Sequence, residues 1–224
     1  MIHQHQLAGL IQRSQAFQQA IIEHANQLDE PDDRRLKLVL QAGYLTIEHS
    51  VAALGLIADE FIPSGIALLR VQFESLVTGI WLLHAASDSW VEKLAEPLTH
   101  DAAKRANEGL GMTEMLKELE SHPSSPRHIV QQLQQYKAVT WKAMCSFVHS
   151  GIHPLSRGQA GYPVQLIHDV VRNANAISAL NLQLITLSTH PHCMPIVRAL
   201  HEQFSDILPI IDTPTSAPTP ECQR

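Results

Sequence analysis

The sequence of 224 residues has few cysteines, and their spacing bears on where the protein works. Cys145, Cys193 and Cys222 are odd in number, lie far apart and include no CxxC pair. Such a pattern indicates neither a disulfide framework nor a thiolate zinc site. We therefore expect a protein of a reducing compartment, the cytoplasm.

Positive charge is also scarce. The chain has 16 Lys and Arg residues against 22 Asp and Glu residues, which gives a formal net charge of −6. A protein that holds a phosphate backbone needs a broad positive field. The charge balance therefore disfavours nucleic acid as the main partner.

Long uninterrupted apolar runs are missing as well. The N-terminus lacks the basic start and the apolar segment of a secretory signal. The most apolar stretches are interrupted by Arg70 and Glu74, by Glu48 and His49, or by the polar residues of 173–192. Because a helix that spans a bilayer needs about 20 apolar residues in succession, we expect no membrane contact.

Alternating strand patterns are absent, and helical periodicity dominates instead. With 45% hydrophobic residues, the chain can fill a core without metal or disulfide support. Two long apolar segments, 36–59 and 63–86, are joined by a short link and predict an antiparallel pair of helices. The expected fold is an all-α, antiparallel bundle of about six to eight helices with this pair at its centre.

The chain is expected to form one helical domain over residues 1–211. Within it, residues 87–125 are more polar and predict a capping segment, and residues 151–163 predict a loop. The last residues, 212–224, are rich in Pro and Thr and carry little that a core would bury. We expect this tail to be disordered.

Charged residues within apolar helical segments are the main indication of a site. Arg70 and Glu74 stand four residues apart, so a helix places them on one face amid apolar neighbours. Ions removed from water must find one another or a ligand. We therefore expect one buried or cleft-lining polar cluster. Its core is Arg70, Glu74 and His149, with Glu48 or His49 as a further member and His153 and Arg157 at its mouth.

The Arg70 and Glu74 pair has two interpretations. In the structural one, a buried ion pair fixes how two helices pack, and Glu74→Ala then costs about 3 to 5 kcal/mol by leaving Arg70 without a partner. In the functional one, Arg70 binds an anion or a carboxylate and Glu74 acts as a base or a ligand.

The segment around His149 offers two further chemistries. His149 and His153 have the spacing of metal ligands on one helix, but Gly151 and Pro154 indicate that the helix ends between or beside them. Ser146 precedes His149 by three residues, as in a nucleophile and base pair, but no Gly-x-Ser-x-Gly elbow surrounds it. The sequence assigns no metal and no cofactor on these grounds.

Three runs, 57–76, 136–142 and 146–157, carry a resemblance to an uncharacterised bacterial family of all-helical proteins over most of residues 35–210. The resemblance implies a fold and no established activity. More distantly, an Arg on one long helix and a His at the end of another are similar to the HEPN superfamily, whose toxin members cut RNA with an Arg and a His that are separated by four to six residues. Here positions 177–179 after Arg172 are Ile, Ser and Ala, so that motif is missing.

Two functions stay open at this point. The first is a non-enzymatic or cryptic helical binding protein, HEPN-like, that works with a protein partner encoded nearby. The second is a hydrolase or nuclease that uses the Arg, Glu and His cluster, with or without a metal. We also expect a homodimer, because the apolar load of the central helices exceeds what one bundle of this size covers easily.

Overall fold

The computed structural model describes residues 2–97, 99, 101 and 110–209. Over these residues the chain forms nine α-helices and no strand, which confirms the all-α prediction. The helices are α1 (Ile2–Ala25), α2 (Arg34–Ala58), α3 (Ile62–His84), α4 (Asp88–Ala95), α5 (Met112–Ser121), α6 (Arg127–Val148), α7 (Ile152–Ala160), α8 (Val164–Thr189) and α9 (Met194–Gln203). Two short 3₁₀ turns, Pro191–Cys193 and Ser205–Ile207, flank α9.

The predicted pair of long helices is present as α2 and α3, within two residues of the expected bounds. The Asp33 side chain begins α2 by accepting a hydrogen bond from the Leu36 N–H at 2.9 Å. The chain then turns at Glu60, whose left-handed φ of 66° lets the Phe61 N–H bond back to the Leu56 carbonyl. This tight turn returns α3 along α2.

Helix α3 lies at the centre and packs against α2, α5, α6 and α8. The largest fully buried side chains come from five helices: Phe17 and Ile21 of α1, Leu40 of α2, Phe73, Leu76 and Trp81 of α3, Leu119 of α5, and Leu182 and Ile185 of α8. Most of these side chains belong to one apolar cluster around α3, whereas Leu40 and Ile185 form a second, small cluster with Ala25 and Leu28.

By length and composition alone, α3 also qualifies as a membrane span, with a mean hydropathy of 1.5 over its most apolar window. In the fold, 56% of that window is buried inside the protein. The core helix of a folded domain has the same apolar composition.

The structure corrects the prediction for residues 151–163. They contain α7, a helix of nine residues, where a loop was expected. Short helices such as α7 raise the number of α-helices in the described residues to nine, above the expected six to eight. Gly151 and Pro154 still act as predicted, since α6 ends at Val148 before them. The 212–224 tail lies outside the described residues, as do positions 98, 100 and 102–109 of the more polar 87–125 segment.

Candidate functional site

Arg70 is the centre of a polar group formed by α3 and α6. Its Nε donates a hydrogen bond to Glu74 Oε1 at 2.9 Å, one helical turn further along α3. Its Nη1 lies 3.2 Å from His149 Nε2, at the C-terminal end of α6. The structure thus brings Arg70, Glu74 and His149 together.

The face of the guanidinium is also in contact. The Arg70 Cζ lies 4.7 Å from the ring centroid of Trp141, a cation–π distance. Lys137, one turn earlier on α6, places its Nζ 5.7 Å from the same ring and donates to Thr113 Oγ1 at 2.7 Å. Trp141 on the face of the guanidinium and the hydrogen bonds of its Nε and Nη1 together fix the orientation of Arg70.

The group lies at the edge of the core rather than inside it. The side chains of Arg70 and Glu74 are 19% and 33% exposed. They open into a cleft of about 460 Å³ between α3, α6 and the start of α5. The cleft is lined by Arg70, Glu74, Thr78, Leu110, Gly111, Met112, Thr113, Glu114, Met115 and Trp141.

The pairing with Arg70 defines the state of His149. A guanidinium only donates hydrogen bonds, so the Nε2 of His149 must be the acceptor and the ring proton resides on Nδ1. His149 caps the C-terminus of α6, and its own N–H donates to the Cys145 carbonyl at 3.0 Å. The Nε2 lone pair is therefore occupied by Arg70 in this arrangement.

The two histidines of the HxxxH pattern do not share a helix. His149 ends α6, whereas His153 is the second residue of α7. Between them, Ser150 adopts a left-handed φ of 52° and reverses the chain. Among the described residues no group of three or more His, Cys, Asp or Glu side chains could hold a metal ion.

Ser146 has a structural task at the same junction. Its Oγ accepts a hydrogen bond from the His153 N–H at 3.1 Å and so caps the start of α7. The Ser146 carbonyl accepts from the Gly151 N–H at 2.7 Å. This geometry links α6 to α7 and gives no support to a Ser and His nucleophile pair.

Arg157 and His153 lie on α7 beside an aromatic group. The His153 ring centroid is 6.2 Å from that of Phe147, which in turn lies 6.4 Å from that of Tyr162. Burial raises the pKa of the Tyr162 hydroxyl, and Arg157 partly opposes this. Neither His153 nor Arg157 has a hydrogen bond to Arg70, Glu74 or His149 within the described part of the chain.

Glu48 and His49 do not join the group. Glu48 is exposed and lines a different groove, of about 450 Å³, between α1 and α2. Over the described residues, neither side chain makes a hydrogen bond or an ion pair with Arg70, Glu74 or His149. Neither residue lines the cleft beside Arg70.

Sequence reasoning missed a buried network of uncharged polar side chains. Ser178 Oγ accepts from Gln72 Nε2 at 3.1 Å, bonds to Ser50 Oγ at 2.9 Å and donates to the Ala174 carbonyl at 3.0 Å. Gln18 Nε2 extends the network by donating to Ser50 Oγ at 3.0 Å. The network joins α1, α2, α3 and α8. Its only signal in the sequence was the presence of single amides and hydroxyls in apolar segments.

The cleft has the chemistry of a binding site. Thr78 Oγ1 donates to the Glu74 carbonyl at 2.9 Å, and Thr113 Oγ1 accepts from Lys137, so both hydroxyls are engaged. Among the described residues, Arg70 Nη2 and Glu74 Oε2 have no protein hydrogen-bond partner. Arg70 Nη2 can therefore donate to a ligand, Glu74 Oε2 can accept from it, and Trp141 offers it apolar surface.

The comparisons with other proteins give a family and no activity. A model described as "Family of unknown function (DUF6988)" matches residues 43–210 of the chain, which include α3, α5, α6 and thus the whole cleft. No curated protein and no solved structure matches the sequence.

Proposed function

We propose that this chain, which belongs to the DUF6988 family, is a non-enzymatic helical binding protein whose ligand enters the cleft beside Arg70. The observation that carries the proposal is the fixed guanidinium. Glu74 and His149 hold two of its edges and Trp141 lies against its face, while Nη2 stays available. A donor that is held in place before binding loses little entropy when a ligand arrives.

The charges of the cleft restrict the ligand. Arg70 attracts an anionic oxygen, but the carboxylates of Glu74 and Glu114 also line the cleft and repel a simple anion. A molecule with both an acidic and a basic group matches these charges. Trp141 and Met112 supply apolar surface next to them. We therefore propose a small zwitterion with an apolar portion, of the kind represented by apolar amino acids and dipeptides.

Differential scanning fluorimetry with a panel of apolar amino acids and dipeptides, followed by calorimetric titration of the hits, tests this proposal. Ligand binding should raise the melting temperature of the wild-type protein and should disappear in Arg70→Met, since the guanidinium is lost. Arg198→Met serves as the control, because Arg198 is an exposed arginine on α9, outside the cleft lining. Equal binding by both variants, or no binding to any member of the panel, contradicts the proposal.

The second candidate function is RNA cleavage, and the contact between Arg70 and His149 favours it. An Arg on one long helix and a His at the end of another carry the resemblance to the HEPN superfamily, although here they come from two helices rather than from one motif. Cleavage of single-stranded RNA by the wild type, lost in His149→Ala, supports this candidate. A protein that leaves RNA intact while it binds the zwitterion supports the first function and a binding-only HEPN-like relationship.

We further propose that two copies of the chain associate in the cytoplasm through the groove between α1 and α2. Tyr44, Leu45 and Val51 on this side of α2 are exposed apolar residues. A second copy would bury them through a two-fold contact. Light scattering should give twice the chain mass at micromolar concentration, and Val51→Glu should yield the monomer. A monomeric wild type contradicts the homodimer.

A further inference from the structure

Helix α7 is unusual because it has no buried residue. Its apolar side chains Ile152 and Leu155 are 75% and 69% exposed, and Val148 at the end of α6 is exposed next to them in sequence. Ile152 and Leu155 are three residues apart, so they lie on the same face of the helix. A helix of nine residues gains its stability mainly by packing an apolar face, and in the described part of the chain Ile152 and Leu155 of this face stay exposed.

The same region has a charge opposite to that of the whole protein. Residues 127–160, which form α6 and α7, contain four Lys and Arg residues and no Asp or Glu, whereas the chain has a net charge of −6. Lys142, His149 and His153 are exposed, and Arg157 is partly exposed. The end of α6 and α7 thus combine exposed apolar residues with basic residues close to them in sequence.

We propose that α7 and the end of α6 form a docking surface for an acidic amphipathic helix of a partner protein. In this text the docking surface means Lys142, Val148, His149, Ile152, His153, Leu155 and Arg157. The apolar side of the partner helix covers Ile152 and Leu155, and its carboxylates face Lys142 and Arg157. Complementary charge selects the partner and speeds association, while apolar burial holds the complex together.

The apolar content of the surface favours a protein over a polyanion. Contacts with nucleic acid are made mainly to phosphates and sugars, which offer no apolar surface to cover Ile152 and Leu155. The surface also offers few basic residues for a phosphate backbone, because Lys142 and Arg157 are its only Lys and Arg. An anionic membrane would contact a longer basic helix than the nine residues of α7.

Selection from a display library of random peptides of about 15 residues, or four helical turns, tests the proposal. The wild-type protein is the bait, and soluble Ile152→Glu/Leu155→Glu protein is the competitor. Both positions are exposed, so the substitutions leave the core intact, which circular dichroism checks. The enriched peptides should be acidic, with large apolar residues spaced three or four apart.

The affinity of an enriched peptide is then measured by fluorescence anisotropy. It should fall about tenfold or more in the competitor variant, should weaken with added salt, and should stay unchanged in Ile196→Glu. Ile196 is the matched control, an exposed isoleucine on α9. Enriched peptides that are neutral or basic, or that bind the competitor variant equally well, overturn the proposal.

Two further probes identify a wrong choice of partner. Vesicles rich in phosphatidylserine and a single-stranded RNA oligonucleotide are each tested against the same variants. One of these probes could bind the wild type and lose that binding in Ile152→Glu/Leu155→Glu, while acidic peptides do not bind. The occupant is then a lipid surface or a nucleic acid, and the proposal fails. The docking surface is separate from the cleft, because none of its residues lines the cleft.

Discussion

The Nη1 of Arg70 donates a hydrogen bond of 3.2 Å to the Nε2 of His149, a residue 79 positions further along the chain. This contact joins the middle of the central helix α3 to the exact end of α6. It fixes the His149 tautomer, occupies the Nε2 lone pair and orients the guanidinium toward the cleft. The proposed binding function depends on that orientation.

The pair of Arg70 and Glu74 should contribute little to stability. Because the side chains are 19% and 33% exposed, water screens the ions, and Glu74→Ala should lower the free energy of unfolding by about 1 kcal/mol. This value replaces the larger one expected for a fully buried pair. The change in unfolding free energy of the double variant Arg70→Met/Glu74→Leu should lie within about 0.5 kcal/mol of the summed changes of Arg70→Met and Glu74→Leu. Urea unfolding measures the wild type, Glu74→Ala, Arg70→Met, Glu74→Leu and the double variant, and a loss of about 3 kcal/mol for Glu74→Ala would contradict the exposure argument.

The buried network around Ser178 should be more sensitive. Ser178→Ala removes the acceptor used by Gln72 and the partner of Ser50, so it should destabilise the fold by about 1 to 3 kcal/mol. Gln72→Met is the contrasting change, because the buried Gln72 Oε1 has no partner and its removal offsets the lost hydrogen bonds. We expect Gln72→Met to cost less than Ser178→Ala in urea unfolding. The reverse order would contradict the network.

Stability should fall as the solution becomes acidic, in part through His24. Burial, with a smaller contribution from His190, lowers the pKa of His24, whose Nε2 lies 2.8 Å from Thr186 Oγ1. The unfolded chain therefore binds a proton more readily than the folded one, so the stabilisation is present above about pH 6.5 and is lost as the pH falls below that value. Unfolding free energies at about pH 7.5 and pH 5 should differ less in His24→Gln than in the wild type.

His84 and His201 keep part of the acid sensitivity in that variant, since burial lowers the pKa of each of them as well. An unchanged pH dependence in His24→Gln would show that His24 does not contribute.

Two glycines of α2 should respond oppositely to alanine. A Cβ at Gly43 would lie 2.2 Å from Ile185 Cγ2, because α8 crosses α2 closely at this point. Gly43→Ala should therefore destabilise the protein by about 1 to 3 kcal/mol. A Cβ at Gly55 meets no atom within 4 Å, so Gly55→Ala should stabilise α2 by up to about 1 kcal/mol through helix propensity. Thermal unfolding of both variants provides the measurement, and equal effects would contradict the close crossing.

The sequence by itself determined the features that depend on neighbours along the chain. Helical periodicity and the short link of residues 59–65 predicted α2 and α3, because these signals act over one or two turns. Gly151 and Pro154 predicted the end of α6 for the same reason. The contact between Arg70 and Glu74 also follows locally, since residues four apart meet on a helix.

Only the tertiary structure decided which helices meet and how deep each polar group lies. An apolar stripe shows that a helix packs against another segment but not which one. The sequence therefore could not distinguish His149, which contacts Arg70, from Glu48, which lines the groove between α1 and α2. Periodicity also could not tell the core from its edge. The charged Arg70 therefore lies at a cleft where water and Trp141 stabilise the ion, while the uncharged Gln72 lies fully buried beside Ser178. The physical reason is the cost of desolvation, which is larger for an ion than for an amide and depends on packing between distant segments.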